Sequence, residues 1–147
     1  MTIKLCRLAA CLVVMLHLVA CGKTPDKEII SQHIATMQEA VEVNDFSEIE
    51  NFLHKGFIAN NRLAAREVNQ LLRMYSMQHR KIDVTIVASN TIINPTFPDR
   101  AETIMSVVVT GSSGGLLPSD GSVRTVKVEW IKQSGDWLVV SAEWEHE

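Results

Sequence analysis

The stretch Ser122–Glu145 reads SVRTVKVEWIKQSGDWLVVSAEWE, and it decides the fold. The pair Ser134-Gly135 is typical of a tight turn, so it predicts a hairpin that joins a strand at Ser122–Gln133 to a strand at Asp136–Glu145. Apolar and polar residues alternate along both strands, which indicates that one face of the hairpin is buried. The alternation predicts that these side chains point inward: Val126, Val128, Trp130, Leu138, Val140, Ala142 and Trp144.

Trp137 has the opposite phase in this alternation, so it is expected on the outer face of the sheet. With Val139 and Ile131 it would form an exposed apolar patch. A patch of this kind is suited to contact with a second copy of the chain.

Two more strands are predicted before the hairpin. The segment Ile82–Ile93 begins with a strict alternation of apolar and polar residues, the pattern of a half-buried strand. The segment Ala101–Thr110 is apolar on both faces, which predicts a central strand that is covered on both sides. The stretch Gly111–Gly121 contains four glycines and a proline, so it predicts a flexible connection to the hairpin.

Three helices are predicted before the strands. The first, Asp26–Asn44, follows a threonine cap and a proline and has one apolar stripe. The second, Asp45–Gly56, begins with an acidic cap that is followed three residues later by Glu48. The third, Ala64–Met77, has an apolar face that includes Tyr75, the chain's one tyrosine.

This order of elements predicts an α+β domain in which three N-terminal helices pack on a mostly antiparallel, four-stranded sheet. A cleaved leader of 20 residues would leave 127 of the 147 residues, which is enough for one domain with a real core. We therefore expect a leader at residues 1–20, a tether at residues 21–25 and a single domain at residues 26–147.

The leader has a basic start at Lys4 and Arg7, an apolar stretch at residues 8–19, and small residues at its end. The apolar run is about 12 residues long, whereas a membrane-spanning helix needs roughly 20. The final Leu18-Val19-Ala20-Cys21 resembles the lipobox of bacterial lipoproteins. The resemblance implies cleavage before Cys21, acylation of its thiol, and contact with the lipoprotein processing and sorting machinery. The alternative is that Cys21 is an ordinary small residue near a cleavage point.

Gly22 follows the cysteine, where an aspartate would resemble the inner-membrane retention signal of many Gram-negative bacteria. This resemblance favours the periplasmic face of the outer membrane over the inner membrane. Loss of Lys4 and Arg7 would also change the formal net charge from −3 to −5, the wrong sign for neutralising phosphates, so nucleic acid is not an expected partner.

The element order and the closing Gly135-Asp136-Trp137 hairpin resemble the nuclear transport factor two (NTF2) superfamily, which includes ketosteroid isomerase and the SnoaL-like cyclases. The resemblance covers Asp26–Glu145. It implies a curved sheet that wraps the first helix in a cystatin-like cone, an apolar cavity at the open end, and dimers formed through the outer sheet face. The expected pocket-lining residues are Tyr75, Val128, Trp130, Val140 and Trp144.

An isomerase reaction of that kind needs a carboxylate base and a hydrogen-bond donor in one dry cavity. Tyr75 is a candidate donor, although a core tyrosine bonded to a backbone carbonyl is the simpler interpretation. The strand acids fall opposite the apolar sets, so they are expected in solvent: Asp83, Glu102, Glu129 and Glu143. No catalytic residue is assigned from the sequence.

The histidines of the mature chain are far apart and lack the short spacing of metal ligands: His33, His54, His79 and His146. The sequence therefore predicts no metal and no cofactor. The predicted function is a lipid-anchored envelope domain that binds a small apolar ligand or a protein without catalysis. The alternatives are an isomerase or cyclase that uses Tyr75, and an accessory subunit of an envelope assembly.

Overall fold

The computed structural model describes residues 24–78, 81–112 and 122–144. The predicted leader, Cys21, residues 113–121 of the glycine-rich connection, His79 and His146 lie outside these residues. The predicted start of that connection, Gly111, instead belongs to a strand that continues to Ser112. The elements in chain order are α1 (Asp26–Glu42), α2 (Phe46–Glu50), β1 (Leu53–Ala59), β2 (Leu63–Ala64), α3 (Ala65–Gln78), β3 (Lys81–Ile93), β4 (Arg100–Ser112), β5 (Ser122–Gln133) and β6 (Asp136–Trp144). None of these helices is long and apolar enough to cross a membrane.

The α+β class is confirmed, but the predicted strand count and helix positions need correction. The described strands form a six-stranded sheet with the order β2-β1-β6-β5-β4-β3. Every neighbouring pair is antiparallel except β1 and β6, which run parallel. Because β1 and β2 precede α3, the helices are not all N-terminal.

The second helix is shorter than predicted, and this error hid β1. Asp45 caps the helix as expected, because its carboxylate accepts hydrogen bonds from the Ser47 hydroxyl and the Glu48 N–H. These bonds lower the pKa of Asp45. The helix nevertheless ends at Glu50, and Gly56 lies within β1. β1 forms because its backbone pairs with β6, a strand about 80 residues later in the chain.

Strand β4 lies between β3 and β5, but it is covered on one face only. Ala101, Thr103, Met105 and Val107 are buried, whereas Ile104 on the opposite face is 46% exposed. The predicted cover on both sides is therefore wrong. We call the buried side of the sheet the inner face and the other side the outer face.

A β-bulge in β6 reverses the predicted orientation of half that strand. Glu129 pairs with Ser141, and the next residue, Trp130, pairs with Val139, so Val140 has no partner on β5. The extra residue shifts the alternation by one position. Trp137 and Val139 are therefore buried in the core. Leu138 and Val140, which were predicted to point inward, are only partly buried and lie outside the core cluster.

The core lies between α1 and the inner face of the sheet. Ile30 and Ile34 of α1 pack in one cluster with β-strand residues that include Val128, Trp130 and Trp137. Val126, Ala142 and Trp144 pack against the edge of this cluster. The inward prediction is thus confirmed for β5 and for the end of β6 beyond the bulge.

The β5–β6 turn has the backbone of a type I′ turn, because Ser134 (φ 55°) and Gly135 (φ 98°) both have positive φ. We expect Gly135→Ala to lower the free energy of unfolding by about 1–2 kcal/mol, since a Cβ at this φ is strained. An added Cβ would contact nothing within 4 Å, so the cost would come from the backbone alone. Urea denaturation measures the change. Ser134→Asn is the control and should not destabilise, because Asn-Gly suits this turn; a loss similar to that of Gly135→Ala would contradict the argument.

Candidate functional site

Two buried tryptophans occupy the space between α1 and the inner face. Trp130 is fully buried, and its indole N–H donates to the Thr103 hydroxyl at 3.0 Å. Thr103 also shares a hydrogen bond of 2.9 Å with the Thr91 hydroxyl. Trp137 is likewise fully buried. These indoles act as core packing, with Trp130 anchored to the buried Thr103 hydroxyl.

An apolar groove of about 280 Å³ lies between α3 and the end of β6. We call it the apolar groove, and its lining residues are Val68, Leu71, Leu72, Met74, Tyr75, Gln78 and Trp144. The α3 residues recur at helical spacing, which places them on one side of that helix. The lining contains no carboxylate.

The structure brings together two of the five predicted pocket-lining residues. Tyr75 and Trp144 line the apolar groove, although they are 69 positions apart in the chain. Val128 and Trp130 are buried in the core instead. Val140 lies at the bulge and lines a different groove, on the outer face. The predicted single pocket is therefore divided among three places.

The acids on the strands lie on the outer face, away from the apolar groove. Lys127 contacts Glu102 at 3.0 Å and Glu129 at 3.4 Å. The hydrogen bond from Lys127 to Glu102 and the negative charge of Glu102 are the main causes that raise the pKa of Lys127. Glu143 accepts a hydrogen bond from the Asn61 amide. Among the described residues, no strand acid lines the same groove as Tyr75.

The outer face has two grooves on either side of this ionic network. One of about 470 Å³ includes Ile104 and Lys127, and the other, of about 570 Å³, includes Ile92 and Glu102. The predicted apolar patch of Trp137, Val139 and Ile131 is wrong, because Trp137 and Val139 are buried. The outer face is instead a mixture of apolar and charged side chains.

A fourth feature, which the sequence did not predict, is a cleft of about 500 Å³ between α3 and β1. We call it the basic cleft, and its polar lining residues are Glu50, His54, Lys55, Arg66, Asn69, Gln70 and Arg73. The four polar residues of α3 in this cleft recur at helical spacing. This spacing was the sequence signal that could have predicted that they share one side of the helix. The partner strand β1 was not predicted, so nothing in the sequence showed that these residues face a second element.

Within residues 24–78, 81–112 and 122–144, no group of three or more histidine, cysteine or acidic side chains is placed to hold a metal ion. The apolar groove is where two of the predicted pocket-lining residues, Tyr75 and Trp144, meet.

No protein-family model and no curated protein matches the sequence. Comparison with solved structures does find similar folds. An NTF2-like protein from Pseudomonas putida superposes with a TM-score of 0.68 at 15% identity, over 85% of this chain and 89% of that one. A candidate ketosteroid isomerase from Shewanella frigidimarina superposes with a TM-score of 0.62 at 14% identity, over 80% of this chain and 94% of that one.

The Bdellovibrio bacteriovorus protein Bd1075 superposes with a TM-score of 0.67 at 12% identity over 82% of this chain. This chain covers only 40% of the length of Bd1075. At such identities the likeness shows the fold alone. The chain therefore has an NTF2-like fold, as the resemblance implied, and a fold of this kind does not by itself identify a function.

Proposed function

We propose that this chain is a lipid-anchored envelope domain that binds a small apolar ligand, or an apolar group of a protein partner, in the apolar groove without catalysing a reaction. The observation that carries the proposal is the lining of the groove. Apolar side chains from α3 and β6 converge there, and among the described residues no carboxylate lines the groove. The binding hypothesis expected this combination, whereas the enzyme hypothesis needs a tyrosine and an acid in one cavity.

The groove has the chemistry of a binding surface. Leu71, Met74 and Tyr75 are each more than a third exposed, although they adjoin one another along α3. Covering adjacent apolar side chains is favourable at about 25 cal/mol per Å². Methionine adapts its shape to the molecule that it contacts. The volume of about 280 Å³ is just below the usual range for drug-sized ligands, which favours a small ligand or one or two apolar side chains.

The outer sheet face is the candidate contact surface for a homodimer or a protein partner. Ile92 and Ile104 are about half exposed there, beside the Glu102–Lys127–Glu129 network. Apolar side chains beside fixed charges suit a contact with specific orientation. The absence of an acid in the apolar groove leaves the isomerase or cyclase alternative without a described base.

We further propose that acylated Cys21 holds the domain on the periplasmic face of the outer membrane. The support is the lipobox-like sequence with Gly22 after it. The lipoprotein processing and sorting machinery would then be a transient partner.

The apolar groove can be tested with N-phenyl-1-naphthylamine, an uncharged probe whose fluorescence rises in apolar surroundings. The protein would be residues 22–147, without detergent. We expect the double variant Leu71→Gln, Met74→Gln to weaken probe binding by about tenfold or more, since two apolar contacts worth about 1.4 kcal/mol together are lost.

Ile104→Gln is the matched control, because Ile104 (46%) and Leu71 (43%) are almost equally exposed but lie on different surfaces. The control should retain affinity within about twofold, well under the tenfold that 1.4 kcal/mol represents. Equal losses in both proteins, or no probe binding by the unchanged domain, would show that the apolar groove is not the binding site.

A further inference from the structure

We propose that the basic cleft binds a small organic anion that also carries a hydroxyl or amine group, such as a phosphate ester of a polyol. This site is separate from the apolar groove, and the two proposals stand independently. The residues that carry it are Lys55 of β1 and Arg66, Asn69 and Arg73 of α3.

Three cations converge on the basic cleft without a carboxylate partner. Arg66 and Arg73 are two helical turns apart on one side of α3, and Lys55 reaches the cleft from β1. Among the described residues, none of the three lies within ion-pair distance of an acid. By contrast, the lysines of the long strands are paired: Lys81 with Asp83, Lys127 with Glu102 and Glu129, and Lys132 with Asp26.

This concentration of positive charge contrasts with the protein as a whole. The chain has a formal net charge of −3, whereas the cleft has three cations against one acid, Glu50. Like charges that line one cleft repel each other, and a bound anion removes that repulsion. Arginines suit phosphate and carboxylate groups because each guanidinium can donate two parallel hydrogen bonds.

Asn69 supplies a second, independent observation. This residue is 5% exposed and is one of the cleft's lining residues, and its amide nitrogen donates to the Glu50 carboxylate. That bond sets the amide orientation, because the flipped amide would point its oxygen at a carboxylate. The amide oxygen is buried and accepts no hydrogen bond within the described structure.

A buried acceptor without a donor costs about 1–3 kcal/mol, so a donor supplied by a ligand or by ordered water would stabilise it. The carboxylate of Glu50 beside Asn69 repels an anionic group. The anion of the ligand would therefore contact the two arginines and Lys55, and its hydroxyl or amine would donate to Asn69. A ligand with both groups fits the cleft better than an anion alone.

Isothermal titration calorimetry with sodium glycerol 3-phosphate tests the charge requirement. The protein would be the full chain as the cell processes it, purified in a nonionic detergent. We expect measurable binding, and we expect the double variant Arg66→Gln, Arg73→Gln to weaken it by about tenfold or more, since charge-assisted bonds are the stronger class.

Arg62→Gln is the matched control, because Arg62 is exposed between β1 and β2, just before α3, and does not line the cleft. Its Kd for glycerol 3-phosphate should be within about twofold of that of the unchanged protein, well under the tenfold that 1.4 kcal/mol represents. No binding by the unchanged protein, or equal losses in the control and the double variant, would overturn the proposal.

Methyl phosphate tests the donor requirement without any substitution, because it has the phosphate of glycerol 3-phosphate but lacks the hydroxyls. We expect it to bind more weakly than glycerol 3-phosphate. Asn69→Leu should abolish that difference while circular dichroism shows an intact fold. Equal binding of the two esters to the unchanged protein would overturn the role of Asn69.

The same phosphate-and-hydroxyl chemistry occurs in free metabolites and in the headgroup of phosphatidylglycerol. Adding phosphatidylglycerol to the micelles separates these sources. In one outcome, phosphatidylglycerol competes with glycerol 3-phosphate for the unchanged protein but not for the double arginine variant. This outcome would support a lipid headgroup as ligand. Unchanged binding of free glycerol 3-phosphate would support a soluble ligand. Competition that is equal in the unchanged protein and the variant would count against the cleft as the lipid site.

Discussion

Replacing Trp137 with alanine is expected to lower the free energy of unfolding by about 3–5 kcal/mol, the usual cost of removing a buried aromatic side chain. Trp137 is fully buried and belongs to the central core cluster. Removal of its indole leaves a cavity beneath α1, because neighbouring side chains relax only partly. Urea denaturation followed by far-ultraviolet circular dichroism measures the change.

Leu138→Ala is the matched control, because Leu138 is the next residue on β6 and lies outside the core cluster. We expect it to cost about 1 kcal/mol or less, as is usual for a partly exposed site. Simple alternation along β6 predicts the opposite ranking, with Leu138 inward. A larger loss for Leu138→Ala than for Trp137→Ala would therefore contradict the bulge at Val140.

Replacing Cys21 with serine is expected to move the protein from the membrane fraction to the soluble fraction. Serine has no thiol to acylate, so the proposed anchor cannot form. Each buried CH₂ of an acyl chain contributes about 0.8 kcal/mol, and two or more chains hold a protein firmly on a bilayer. Membrane fractionation in high salt, followed by immunoblotting, measures the change.

The matched control is Cys11→Ser, which changes a cysteine of the leader and leaves Cys21 in place. This variant should remain in the membrane fraction. Retention of the Cys21→Ser protein on membranes in high salt would show that acyl chains are not the anchor. Mass spectrometry of the unchanged protein that found an uncut amino terminus with a free thiol would lead to the same conclusion.

Local patterns predicted the elements whose partners are close in the chain. The Ser134-Gly135 turn and its two strands have the predicted positions, and so does the cap at Asp45. A two-residue turn determines which residues of its hairpin pair, and a cap needs only the next helical turn. These features therefore depend on residues that are neighbours in the sequence.

Features that depend on distant partners were missed. Strand β1 forms against β6, and the short helix before it ends early for the same reason. The residues of β1 have a weak apolar pattern, because only Phe57 and Ala59 of this strand are buried. The bulge at Val140 is also invisible to alternation counting, since one unpaired residue puts the two halves of β6 in opposite phase without leaving a sequence motif.

The candidate sites divide in the same way. Tyr75 and Trp144 were each predicted as pocket residues, and the structure brings them together in the apolar groove. The basic cleft was not predicted, because its helix residues needed the undetected strand β1 as their second wall. Trp137 was assigned to the wrong face, because alternation along β6 does not show the bulge at Val140.

The sequence by itself determined the α+β class, the closing hairpin and the presence of three helices. It did so because hydrophobic period, caps and turns act over a few residues. The tertiary structure alone decided the parallel β1–β6 pairing, the face on which Trp137 lies and which polar residues share a cleft. Those outcomes come from packing among residues that are far apart in the chain. The register of two such strands depends on which side chains the whole core buries.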